Sequence, residues 1–347
     1  MSFTKLTVIA ATAALLVTGA AGAARADAAA DYFKGKTITI VVGYGESGGY
    51  AVYCRQLTGY FGKHIPGNPN VICQYMPGQG GVKAANYVYS IAPKDGSVLS
   101  MLSDYAAVAQ LMQPEKVKYD LRKFRWVGVM VPSNPLLTVR KGAGITKFEQ
   151  LFEKQMTIGV TGVLAQSGIN AQLMNKFLGS KIKLIAGYKS TGRVALAMQQ
   201  GEVDATMSSW ISLKARAKQL FDTGEFIGLL QVGHKRAKDL PHVPLMSDFA
   251  KDDEAKQVAN LASSSAPFGR SVSVMPGYPD HLLAALRKGF MATMEDKEFI
   301  STSAQRNIEI EPASGESLEP ILDKLMATPP EVVKLVQDAA GFNKKNN

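Results

Sequence analysis

The run "KTITIVV" (36–42) is β-branched, and it passes straight into a glycine-rich turn and then into a helical period. Tyr50, Tyr53, Cys54, Leu57 and Phe61 recur at i, i+3, i+4, i+7 and i+11, which marks one face of a 3.6-residue repeat. A strand that turns directly into a helix points to an α/β sheet with that helix lying on its face. The unit then repeats. Pro66, Gly67 and Pro69 break the helix, "VICQY" (71–75) is the next strand, "MPGQGG" opens a second helix through about Ala92, and "SVLSML" (97–102) is a third strand. The order is β-α-β-α-β, which predicts a largely parallel sheet.

The same order restarts after "VPSNP" (131–135). A strand at 156–162 leads to a helix whose face is Ile169, Leu173 and Phe177, with Ser167 as the expected N-cap and Gly179 as the stop. A strand at 181–188, a helix from Ser190 and a strand at 202–208 complete the second unit. Later, "GRSVSVMPGYP" leads into a helix from Asp280, and "PPEVVKLVQDAA" closes the chain with a helix expected to pack back onto the first lobe. Two α/β lobes are expected, with chain crossings near 132–138 and 262–272. Residues 27–135 and 266–347 would form one lobe, and 136–265 the other.

Residues 1–26 set the compartment. Lys5 gives a positive start, an apolar stretch runs from Leu6 to about Val17, and Ala24-Arg25-Ala26 ends a small-residue segment. That layout is a secretory leader cut before Asp27, and its apolar run is shorter than the roughly 18 to 20 residues of a membrane span. A soluble exported protein is expected. At 46% hydrophobic residues the composition is that of an ordinary globular chain. Losing Lys5 and Arg25 with the leader leaves +8 of the formal +10. The basic residues are scattered and do not alternate with aromatics, so nucleic acid is not the expected partner and small anions are. A monomer is expected. Two cysteines, Cys54 and Cys73, follow the leader. In an oxidising compartment the even count invites a disulfide, the alternative being two separate buried thiols.

The turn at 43–49 satisfies two motifs at once. Gly43, Gly45 and Gly48 spell the dinucleotide-binding G-x-G-x-x-G, while Gly45, Ser47 and Gly49 spell the hydrolase G-x-S-x-G. A dinucleotide site needs an acidic residue about 20 positions on, yet no Asp or Glu occurs between Glu46 and Asp95. A nucleophile elbow needs an earlier strand-loop for its oxyanion hole and a tuned histidine. The "KTITIVV" strand is the first after the leader, and His64, His234, His242 and His281 all lie in polar or proline-broken settings. A secreted esterase using Ser47 is the alternative from another class. No H-E-x-x-H or C-x-x-C supplies a metal site, and no cofactor is expected. Both motifs share one physical property. Glycines let a ligand approach the backbone, and the following helix start offers unpaired N–H groups with a partial positive charge. With Ser47 or Gly48 as cap, the amides near Gly49 and Tyr50 would face an anion. "TGVLAQSG" (161–168) is a second such turn, so two anion-receptive turns facing across a cleft would suit a small dicarboxylate.

Four segments carry a family resemblance: "YGESGGYAVYCRQL", "QYMPGQGGVKAANYVYSIAPKDG", "GVTGVLAQSGINAQLMNKFLG" and "GYKSTGRVALAMQQGEVDATMSSWISLKA". In this order and spacing the chain resembles the periplasmic solute-binding proteins of tripartite tricarboxylate transporters, the TctC or Bug family. The resemblance implies a two-lobed, type II periplasmic-binding-protein fold and a non-catalytic role. The receptor would capture a mono-, di- or tricarboxylate and deliver it to membrane permease subunits. A ligand-presenting sensory role beside a membrane histidine kinase is the variant of that reading. Carried over, the ligand positions are Ser47, Gly48, Gly49 and Tyr50; the Gly78, Gly80 and Gly81 turn; Ser103 and Asp104; and Thr161 to Ser167, including Gln166. Tyr188, Lys189 and Ser208 complete the set. Ala51 stands where the family often has Asp, and Val163, Leu164 and Ala165 replace its usual Gly and Ser. A more apolar pocket follows, with a ligand that carries a ring or alkyl body. Trp126 and Trp210 are assigned to packing, Asp204 to a structural acid and Arg55 to an inter-element salt bridge.

Overall fold

The computed structural model describes residues 28–163, 165–188 and 190–342. The expected leader, Leu164 and Lys189 lie outside the described residues. Eleven strands among the described residues form two mixed sheets. The first holds β1 (Thr37–Val42), β2 (Asn70–Tyr75), β3 (Val98–Met101), β4 (Arg125–Val129), β10 (Ser271–Val274) and β11 (Ala313–Ser314), in the order β11-β4-β10-β3-β1-β2. The second holds β5 (Pro135–Arg140), β6 (Met156–Val160), β7 (Ile182–Ala186), β8 (Ala205–Ser209) and β9 (Phe226–Gln231), in the order β7-β6-β8-β5-β9. In each sheet the β-α-β-α-β unit supplies three parallel strands, and antiparallel strands extend it.

Alternation sets the layers. Ile38, Ile40 and Val42 point to one face of β1, where they join Tyr53, Leu57 and Phe61 of the Gly49–His64 helix and Leu286 and Phe290 of the Asp280–Glu295 helix. Val41 points to the other face and enters the core beneath the Val82–Ser90 helix. Cys54 and Cys73 are joined in a disulfide that ties the Gly49–His64 helix to the edge strand β2, with Cα atoms 6.2 Å apart.

The segments that pass between the sheets run side by side. The Ser133 N–H donates to Ala266 O at 2.9 Å, and the Arg270 N–H donates to Val131 O at 2.9 Å. The closing Pro330–Ala339 helix does not rest on the first lobe alone. It packs on the Ala106–Met112 helix and also on the Asp253–Ser263 and Gln166–Leu173 helices that follow the second-sheet strands. Its Gln337 amide donates to Met112 O at 3.1 Å. Because its buried residues, Val332 and Val336, belong to a core shared by both groups of helices, it spans them.

Candidate functional site

The carboxyl ends of β1, β3, β6, β7 and β8 converge on a cleft of about 750 Å³. Ligands of open α/β sheets bind outside the carboxyl ends of the strands, and four helices start there. The Gly49–His64 helix begins at Gly48, the Gln166–Leu173 helix at Ala165, the Thr191–Gln199 helix at Ser190 and the Trp210–Asp222 helix at Ser209. All four capping residues line the cleft. Only Ser190 caps with its side chain, accepting from the Arg193 N–H. The first-turn N–H groups of the other three helices have no intrahelical partner and no side-chain cap, although the Trp210 N–H donates to Asn134 O at 2.8 Å.

Two glycine features build the first-lobe side. A Cβ at Gly49 would lie 1.8 Å from the Ser212 hydroxyl, so the first turn of one helix can meet the first turn of the other only through glycine. In the turn after β2, Gly78, Gln79, Gly80 and Gly81 all have positive φ, from 49° to 150°. Three are glycine, for which that region is accessible. Gln79 is not, and it lines the cleft in a conformation that disfavours L side chains by about 1 to 2 kcal/mol.

Beneath the glycine turn lies a layered cluster. Arg270, 1% exposed, places its guanidinium 3.8 Å over the Tyr50 ring. The other face of Tyr50 stacks on Tyr44, with ring centroids 4.6 Å apart and planes at 27°. Arg270 Nη2 donates to Ser209 Oγ at 2.7 Å and Ser212 Oγ at 2.6 Å, while Nη1 stands 3.7 Å from the buried carboxylate of Asp104. The Asp104 N–H donates to the Tyr50 hydroxyl at 2.7 Å. Burial pushes the Asp104 carboxyl up and outweighs the opposing pull of Arg270. Burial likewise holds the Tyr50 hydroxyl well above its ordinary range. On the cleft floor Arg270 and Asp104 thus face each other, with burial opposing ionisation of the carboxyl.

Of the residues expected from the sequence, Gly48, Gly49, Tyr50, Gly80, Asp104, Thr161, Gln166, Tyr188 and Ser208 line the cleft. Ser47, Ser103 and Ser167 are not among the lining residues. Ser47 is exposed on the turn. It is separated from His64 by the sixteen-residue helix, about 22 Å at the α-helical rise, and His64 is itself bonded to Asp296 at 2.8 Å. Ser103 sits behind Tyr44 and hydrogen-bonds its hydroxyl at 2.8 Å. Ser167 is not the N-cap: the Ala165 N–H bonds to Gly162 O at 3.1 Å, and this tight turn starts the helix at Gln166. Arg55 makes no salt bridge among the described residues. It donates instead to Glu46 O at 3.2 Å and to the Tyr75 hydroxyl at 3.1 Å, bracing the glycine turn against β2. Asp204 accepts from the Thr157 N–H and hydroxyl and from Arg140. Burial raises its carboxyl, but these bonds outweigh that and hold it below the usual range.

Sequence reasoning missed Tyr44, Ser209, Ser212 and Arg270. Tyr44 lies inside the quoted glycine turn and could have been singled out as its one ring. Arg270 carried no signal, because Tyr50, Asp104, Ser209 and Ser212, which hold its guanidinium in the cleft, lie more than 50 positions away.

Fold and cleft define a two-lobed α/β protein with a cleft lined by strand ends of both sheets. The comparisons specify it further. The model of the tripartite tricarboxylate transporter family receptor (TctC) matches residues 55–319, and the chain belongs to that family. Among solved structures, R. palustris Rpa4515 with adipate aligns with a TM-score of 0.68 at 18% identity, covering 88% of this chain and 97% of its own. The periplasmic binding protein BugD gives 0.67 at 17% identity, with 88% and 97% covered. MatC from Rhodopseudomonas palustris with bound malate gives 0.64 at 18% identity, with 88% and 99% covered. No curated protein matches the sequence. No helix among the described residues is long and apolar enough to cross a membrane.

Proposed function

We propose that this protein is an exported, non-catalytic receptor that captures a small carboxylate-bearing organic acid and hands it to the membrane subunits of a tripartite transporter. The observation that carries the reading is the cleft, where helix starts from both sides converge and three of the four lack a side-chain cap. Backbone N–H groups at helix starts bind anions without a cationic side chain. That matters here because the buried cation of the cleft, Arg270, is already engaged by Asp104, Ser209 and Ser212, while the other lining cation among the described residues, Lys116, is exposed to solvent. Family membership supports the receptor role, and the adipate and malate in two structural neighbours support the carboxylate class. Val163 and Ala165 on one side and Pro77 on the other make room for an apolar ligand body.

Thermal unfolding of protein refolded to strip any carried-over ligand, against mono-, di- and tricarboxylates, tests the reading. Ligand at about 1,000-fold over its Kd adds roughly 4 kcal/mol, a shift of about 5 to 15 °C. One chemical group of acids should produce that shift. Absence of any shift across the panel contradicts the reading.

A further inference from the structure

Tyr44 is half-buried, while Tyr50 behind it is 7% exposed and Arg270 behind that is 1% exposed. The three form a stack whose members all line the cleft, and Tyr44 is its outermost and most exposed layer. Its ring is fixed at both ends. The hydroxyl lies 2.8 Å from Ser103 Oγ and donates to Gly80 O at 3.2 Å, and one face rests on Tyr50. Tyr50 is held in turn by the Asp104 N–H and the Arg270 guanidinium. Such a ring has little freedom left to lose when a ligand lies against it. Tyr50 also contributes a first-turn N–H of the Gly49–His64 helix. An acid held at that helix start would therefore extend its body alongside the neighbouring Tyr44.

Resting on the carboxylate-receptor reading above, we infer that Tyr44, backed by the Tyr50–Arg270 stack, is a specificity-determining face that selects acids with a planar ring or conjugated body over puckered or flexible acids of equal length. Two aromatic rings prefer offset or edge-to-face contact, and such a pair gains over area burial alone. The cleft volume of about 750 Å³ accommodates a single-ring acid.

The test is calorimetric titration of the full mature protein with benzene-1,4-dicarboxylate and trans-cyclohexane-1,4-dicarboxylate, which share carboxylate placement and differ in planarity. Benzoate and cyclohexanecarboxylate repeat the comparison for monoacids, and adipate serves as the flexible reference. The planar member of at least one pair should bind about three- to tenfold more tightly. In Tyr44→Leu the ratio should fall to about one, and in Tyr44→Phe, which keeps the face and loses the hydroxyl bonds, it should persist. The wild-type comparison stands alone should Tyr44→Leu not fold. Equal or preferred binding of the saturated or flexible acids overturns the inference and leaves the receptor reading intact, as does a ratio unchanged in a folded Tyr44→Leu. Failure of every acid to bind overturns both.

Discussion

The two walls of the cleft are built by opposite means. The first-lobe wall is a buried stack of rings on an ion pair, with Arg270, Asp104 and Tyr50 all nearly excluded from solvent. The opposite wall is made of short polar residues at strand ends and helix starts, among them Thr161, Ser190, Thr191 and Ser208, all partly or fully exposed. One wall has a fixed shape, with Arg270 packed between Tyr50 and Asp104. The other offers hydrogen-bonding groups that can be exchanged singly. The division teaches that shape and anion recognition need not come from the same residues.

The largest expected effect strikes the point where the walls meet. Arg270→Ala leaves Asp104 buried without its counter-charge and frees Ser209 and Ser212. Stability in urea unfolding should drop by about 3 to 5 kcal/mol, and an Arg270→Met, Asp104→Asn double variant should recover most of the loss. If the single variant is as stable as wild type, the floor is not a coupled pair.

Cys54→Ser with Cys73→Ser should cost about 3 kcal/mol of stability without altering ligand affinity, because the bond ties the helix to β2 outside the cleft. Denaturation and titration of the same preparation read both. Gly49→Ala should cost about 1 to 3 kcal/mol by overpacking against Ser212, and affinity should fall with it. Intact binding there would remove the helix start from the site. On the second wall, Ser208→Ala should change affinity by several-fold while stability moves by less than about 0.5 kcal/mol. Away from both walls, Asp296 accepts from Lys63, from the Phe299 N–H and from His64, which hold its carboxyl far below the usual range. A depressed folded-state value means that its stabilisation is present above the unfolded value of about 4 and is lost as pH falls through the depressed one. Acid unfolding should therefore shift to higher pH in Asp296→Asn, with neutral-pH ligand affinity unchanged.

The same contrast explains what was legible in the sequence. The β-α-β-α-β units and the turn at 43–49 are local patterns, written in consecutive residues. Most of the expected lining positions lie in such turns. The "SVSV" run of β10 alternates polar and apolar residues, and the Ser273 hydroxyl pairs with that of Ser100 at 2.8 Å with both residues fully buried. Arg270 was illegible for a different reason. Its role arises from Tyr50, Asp104, Ser209 and Ser212, which the chain brings together only after both crossings between the sheets are made.

The central claim, that this cleft holds a carboxylate by backbone amides at helix starts, is tested most directly by calorimetry with one acid and its uncharged primary amide on the refolded wild-type protein. The acid should bind with the amide at least about 100-fold weaker, a difference of roughly 2.7 kcal/mol. Equal affinity for the two would contradict the claim, because helix starts that recognise an anion cannot be indifferent to its charge.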